Sequence, residues 1–275
     1  MWIALWTTIA AATPCPADVA ASATALDKTL DDVEPILRTI IPSLATTRPA
    51  RGQVSDDGVF VGLGMRNDCV LDDGTAVTVG KANPAPGYGY AAPKLLGYYD
   101  DLVVGSHDEA RDGWDRIDYL AIVAHEWAHV HHAASDPNAS AYVAQFKLEK
   151  KYLKKQEIQQ AVAAVVQSAA TVKDCDFTAV RTDQQALMAL FKTKEQTTLR
   201  RWAFTEGMGR YIEGQTEAAL RGVDSAAILD NSCTSVNNGD FGYALGCSLA
   251  RAVASCKSDV WKQPWVGPFA SYFPK

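Results

Sequence analysis

Two histidines four residues apart, His125 and His129, with Glu126 directly after the first, are the residues of this chain best suited to chemistry. On an α-helix, residues i and i+4 share a face, so both imidazoles can reach one ion. Glu126 can meet a water beside that ion without binding the ion itself. Zinc brings the pKa of such a water near neutrality, and the carboxylate removes its proton as it attacks a carbonyl. The spacing therefore predicts a hydrolytic zinc centre, with His125 and His129 as ligands and Glu126 as general base. Tyr119, Leu120, Ile122, Val123 and Trp127 make the segment apolar, as in a helix that crosses a core. Polar residues are not placed in such a helix without partners.

A catalytic zinc site needs a third protein ligand and an open position. The metzincin extension of the HExxH motif would put glycine at 132 and histidine at 135, but the chain has His132 and Ser135, so that class is excluded. His132 is expected a turn beyond the metal, behind the ligands or at the surface, and His131 at the surface. Further on stands Phe204-Thr205-Glu206-Gly207-Met208-Gly209-Arg210-Tyr211-Ile212-Glu213-Gly214. This resembles the EGxAxYxE helix of gluzincins, in which the first glutamate ligates zinc. The resemblance makes Glu206 the third ligand, with Glu213 as its main rival and Glu217 a more distant one. Gly207 and Gly209 each cost a helix about 1 kcal/mol relative to alanine. Close approach of the ligand helix to the HExxH helix is the expected reason for them.

The resemblance extends further. Residues 83–96 look like the edge strand that precedes the HExxH helix in many bacterial gluzincins and pairs with an extended peptide. Gly242-Tyr243-Ala244-Leu245-Gly246-Cys247 is similar to the family's later helix with a YxxG start. Together these cover about residues 55–255. Gly209 where alanine is commoner, the extra His131 and His132, and the many cysteines depart from the pattern. The implied activity is zinc-dependent hydrolysis of peptide bonds, one catalytic zinc ion acting on an extended peptide or protein substrate. Oxyanion stabilisation in such sites falls to a Tyr, His or Arg near the metal, here Tyr243, Tyr211, His107 or Arg251. The competing expectation is a zincin-like binding protein with a structural or absent metal, but a structural site has no need of Glu126.

The rest of the chain must position these residues. Its 275 residues, 48% hydrophobic and 21% charged, suffice for one large core or two lobes around a cleft. A net charge of -6 argues against nucleic acid as a partner, which would require a basic stripe. No apolar run reaches membrane-spanning length. Helical spacing predicts a helix over 25–45; strands are expected at 58–63, 75–79 and 87–91, separated by Asp-Gly turns. From there the pattern is helical: 117–134, capped by Asp115 or Asp118, then 141–171, 182–196, 199–221 and 243–254. The expected fold class is α+β and zincin-like: a small mixed sheet with an edge strand over the HExxH helix, followed by a mostly helical C-terminal half. Residues 15–275 read as one domain, its sheet-containing lobe at about 50–136 and its helical lobe at about 137–275. Oligomeric state cannot be read from the sequence.

Residues 1–14 form an apolar segment that reads as either an export signal without a positive n-region or an N-terminal helix. Cys15, Cys69, Cys175, Cys233, Cys247 and Cys256 contain no CxxC pair, which argues against a structural zinc knuckle. Their even number suits up to three disulfides in a secreted or periplasmic protein. Spacing alone does not choose the pairing.

Overall fold

The structure is a computed structural model that describes residues 13–44, 48–81, 89–91, 102–109, 113–135, 148, 151–152, 154–234, 241–262 and 267–273. Six strands, β1 (Arg51–Val54), β2 (Val59–Leu63), β3 (Cys69–Val70), β4 (Ala76–Lys81), β5 (Gly89–Ala91) and β6 (Leu102–Gly105), form one sheet in the order β3-β4-β2-β1-β6-β5. β1 and β6 pair in parallel and the other strand pairs are antiparallel, so the sheet is mixed. β5 pairs antiparallel with β6 and forms one edge. Residues 58–63 and 75–79 correspond to β2 and β4, and 89–91 of the strand expected over 87–91 to β5; residues 87–88, and the remainder of the expected edge segment 83–96, lie outside the described residues. The sequence pattern missed β1, β3 and β6. β6 is buried at all four positions, so it lacks the polar-apolar alternation that marks a half-exposed strand.

Among the described residues there are seven helices: α1 (Ala17–Ile40), α2 (Arg116–Ser135), α3 (Gln156–Ala170), α4 (Thr178–Ala189), α5 (Thr193–Arg221), α6 (Ser225–Ser232) and α7 (Phe241–Cys256); α1 and α2 pack on the sheet. α1 begins eight residues before its expected start because the alanine-rich stretch after Pro16 propagates helix readily. α2 opens on a reciprocal cap: Asp118 N–H donates to Asp115 Oδ1 (2.9 Å) and Asp115 N–H to Asp118 Oδ2 (3.1 Å). The single helix expected over 141–171 is corrected, although residues 141–147 lie outside the described ones. The chain turns at Lys154 before α3. No Gly or Pro marks that break; Tyr152 is buried against the Phe191 ring at 4.6 Å and its hydroxyl donates to Glu195 Oε2 at 2.7 Å. Tertiary anchoring overrides local propensity there. Similarly, the helix expected over 182–196 is two helices, with Glu195 accepting the Lys192 N–H (3.0 Å) at the start of α5. α6, capped by Asp224 on the Ala226 N–H (2.9 Å), lies where a loop was expected.

α5 runs antiparallel to α2. Arg221 at its C-terminus bonds Asp115 (2.9 Å) and Asp118 (2.6 Å) at the start of α2, while Glu213 and Glu206 meet the middle of α2. α7 packs on another side of α5, backbone against backbone. A Cβ on Gly246 would lie 1.7 Å from the Ala203 carbonyl oxygen, and one on Gly207 2.2 Å from the Gly246 Cα. Gly207 therefore serves the α5–α7 contact, which corrects its expected role against α2. The cysteines pair as Cys15–Cys69, Cys175–Cys256 and Cys233–Cys247, tying α1 to β3, the α3–α4 connection to the end of α7, and α6 to α7. Among the described residues no helix is long and apolar enough to cross a membrane.

The backbone contact at Gly246 leaves no room for a methyl group, so Gly246→Ala should cost about 2–3 kcal/mol, read as a lower urea midpoint with an unchanged slope. Gly222, in the left-handed region at φ 65° with open space around it, should lose only about 1 kcal/mol on replacement by Ala.

Candidate metal centre

His125 and His129 project from adjacent turns of α2 and their rings meet edge to face, with centroids 4.6 Å apart. Glu206 enters from α5. Its Oε2 lies 3.5 Å from His125 Nε2 and 3.3 Å from His129 Nε2, and the ligand atoms of the three residues all fall within 4.8 Å of one another. Glu206 is 0% exposed. The structure thus brings together the three residues expected to hold the metal. Glu126, buried beside His125, follows it by about 100° around the helix.

The donor set fits a zinc ion. Tetrahedral zinc with nitrogen and oxygen bonds of about 2.0–2.1 Å separates neighbouring ligand atoms by about 3.3 Å, close to both contacts of Glu206. His129 Nε2 is buried and makes no hydrogen bond, although it stands near that carboxylate. A buried polar atom in that state is costly unless something else satisfies it. Gly209 supplies a further fit, since a Cβ there would come within 2.6 Å of His125 Nε2. The departure from alanine at this position thus has a steric reason: α5 sits too close to the imidazole for any side chain.

Glu213, the rival for third ligand, has a different place. It lies about two turns after Glu206 on the same face of α5, and its Oε2 bonds His125 Nδ1 at 2.8 Å, on the far side of the ring from Nε2. Its other oxygen accepts from Arg210 Nη1 at 2.5 Å. A carboxylate on the outer nitrogen fixes the tautomer and ring orientation of a ligating histidine. Arg210 was missed in the sequence, although it lies three residues before Glu213, at ion-pair spacing on a helix. Its guanidinium also covers the Tyr243 ring, 5.8 Å from the centroid. Glu217 is not at the centre but pairs with Arg221 at 2.8 Å.

Charge follows geometry. Burial alone would lower the His125 pKa, but Glu206, Glu213 and the Glu126 charge outweigh it and push it up to about 10. Burial would raise Glu206, yet His129 and His125 hold its carboxyl well below the usual range. Burial likewise opposes ionisation of Glu213, and His125 and Arg210 keep its pKa low. Both carboxylates are therefore kept ionised out of water by the imidazoles and by Arg210, which offset the cost of burial.

Of the four oxyanion candidates, Tyr243 lies beside the centre, its ring 6.0 Å from that of His125. Tyr211 is buried and its hydroxyl accepts from Gln215, His107 stacks on Tyr119 at 4.7 Å, and Arg251 pairs with Asp230. His131 and His132 are both buried. His131 Nε2 approaches Ser43 Oγ at 3.4 Å, and the His132 ring meets Phe204 edge-on at 5.1 Å. Burial corrects the surface expectation for His131, whereas His132 takes the first of its two expected places, behind the ligands.

No family model, curated protein or solved structure matches this chain. The class is carried by the residues themselves: a buried His-His-Glu group able to bind a metal ion.

Glu213→Gln keeps the shape but loses the charge behind His125, and should weaken zinc binding about 10–100-fold in a chelator competition. Gly209→Ala should weaken it comparably by displacing His125. Glu206→Ala should remove stoichiometric binding altogether.

Proposed function

We propose that the protein is an exported zinc-dependent peptidase of gluzincin type. The observation that carries this reading is the convergence of His125, His129 and Glu206 with Glu126 buried beside them. A zinc ion held by these three residues would supply Lewis acidity, polarising a carbonyl and making a nearby water acidic. Glu126 accepts the proton of the attacking water and returns it to the leaving amine, the task of a positioned carboxylate in acid–base catalysis. Glu213 and Arg210 hold His125 in one orientation throughout.

Substrate access is supported by the sheet. β5 is an edge strand and packs against α2, the helix that bears the HExxH motif. An extended peptide can add to such an edge through main-chain hydrogen bonds, which brings a scissile bond alongside the histidines. Tyr243, beside His125, is the nearest of the oxyanion candidates. Export is favoured by three disulfides, which persist in oxidising compartments.

Two measurements test the reading together. Purified protein should contain close to one zinc per chain and cleave an unstructured protein such as casein. Glu126→Gln should retain the metal and lose cleavage by about 10²–10⁴-fold. Undiminished cleavage by Glu126→Gln would remove the proposed base. Stoichiometric zinc with no cleavage of any peptide would favour the binding-protein alternative.

A further inference from the structure

The three disulfides differ in how far a nucleophile can reach them. Cys233 and Cys247 are 1% and 0% exposed, and Cys69 is 5% exposed while its partner Cys15 packs against the same core. Cys175 and Cys256 are both half-buried. Cys256 still packs against the core, whereas Cys175, in the connection between α3 and α4, does not. Thiol exchange requires access of a thiolate to one sulfur of the bond, and Cys175 is the cysteine best placed to offer it.

The backbone at Cys175 supplies a second, independent reason. Asp174 and Cys175 lie at φ 50° and 59°, and among the described residues no other non-glycine residue occupies the left-handed region. Asp visits that region more readily than most residues because its short side chain bonds locally; cysteine lacks this compensation. Such a conformation persists where its surroundings impose it. Here the Asp176 N–H donates to the Lys173 carbonyl at 2.9 Å, the Phe177 ring stacks on Phe273 at 4.7 Å, and the bond to Cys256 holds Cys175 itself. Opening the bond removes the constraint that acts on Cys175 directly. Exposed or strained disulfides are the labile ones.

The bond also stands apart from the metal centre. Cys256 ends α7, about ten residues and about 15 Å along the helix from Gly246, where α7 meets α5. Beside Gly246 the buried Cys233–Cys247 bond remains in place. What Cys175–Cys256 secures is the approach of the α3–α4 connection to the end of α7.

We propose that Cys175–Cys256 is a thiol-exchange site, which a dithiol opens in the folded protein, freeing the start of α4 from α7 while the His-His-Glu group stays assembled. A thiolate of the dithiol attacks Cys175 Sγ, forming a mixed disulfide and expelling the Cys256 thiolate. The second thiol then attacks the dithiol's own sulfur in that bond and expels the Cys175 thiolate. The protein disulfide is reduced to two thiols, the dithiol is oxidised to a cyclic disulfide, and its two protons pass to the cysteines. The inference is independent of peptidase activity.

Timed alkylation of the folded full chain in dithiothreitol, with the labelled cysteines mapped by peptide mass, tests it. Cys175 and Cys256 should be labelled together, at least about tenfold faster than the other four cysteines, with the far-UV circular dichroism retained. Hydrogen exchange across residues 178–189 should quicken as they are labelled. Dithiothreitol itself binds zinc, so the centre is checked without reductant in a variant carrying Cys175→Ala with Cys256→Ala. That variant should fold and bind zinc within about twofold of the parent chain, since the two sites are distant. Equal or earlier labelling of another pair, no labelling short of unfolding, or loss of the far-UV signal as Cys175 and Cys256 react would overturn the proposal. So would a double variant that fails to fold or loses the parent's zinc affinity.

Discussion

The carboxylate of Glu206 is fully buried and ionised between two imidazoles, and much of the fold can be understood from that constraint. An isolated charge removed from water costs several kcal/mol even after relaxation. The charge is tolerable only if α5 holds it within reach of His125 and His129, which requires α2 and α5 to lie close together and in one register. Arg221 on Asp115 and Asp118 fixes that register at one end, and Glu213 on His125 fixes it near the middle. The two pairings are separated by eight residues on α5 and seven to ten on α2, consistent with antiparallel helices of the same rise.

Closeness is secured by glycine on two sides of α5. Gly209 leaves space for the His125 ring, while Gly207 and Gly246 let α7 meet α5 backbone to backbone. Each glycine costs helix propensity, so their concentration within one turn of Glu206 reflects packing needs and not helix formation. The Cys233–Cys247 bond follows directly after Gly246 and binds α6 to the helix that supports the ligand helix. The His-His-Glu group, the helix spacing and a disulfide thus meet in a single layer of the core.

Much of this centre could be read from the sequence because its information is local. The i, i+4 histidines, the glutamate between them and the apolar frame all lie within one helix, and the resemblance of residues 206–213 to a known helix pattern favours Glu206 over Glu213. The information absent from the sequence is long-range. Whether Glu213 ligates or orients depends on which ring nitrogen it faces, and only the placement of α5 on α2 decides that. Gly207 and Gly209 read as close-contact glycines, but their partners, Gly246 and His125, lie on different helices. The burial of His131 and His132 depends on α1 and α5 folding over them. The break before α3 has no local signal, since it follows from Tyr152 reaching Glu195 forty-three residues on. β6, buried along its whole length, hid its strand character for the same reason: tertiary cover removed the alternation.

Zinc K-edge X-ray absorption of the purified, zinc-loaded chain reads the ligand set itself. A site made by His125, His129 and Glu206 gives a first shell of nitrogen and oxygen atoms at about 2.0–2.1 Å, with multiple scattering from two imidazoles. A shell containing sulfur, one with fewer than two imidazoles, or one made of solvent oxygen alone would contradict it.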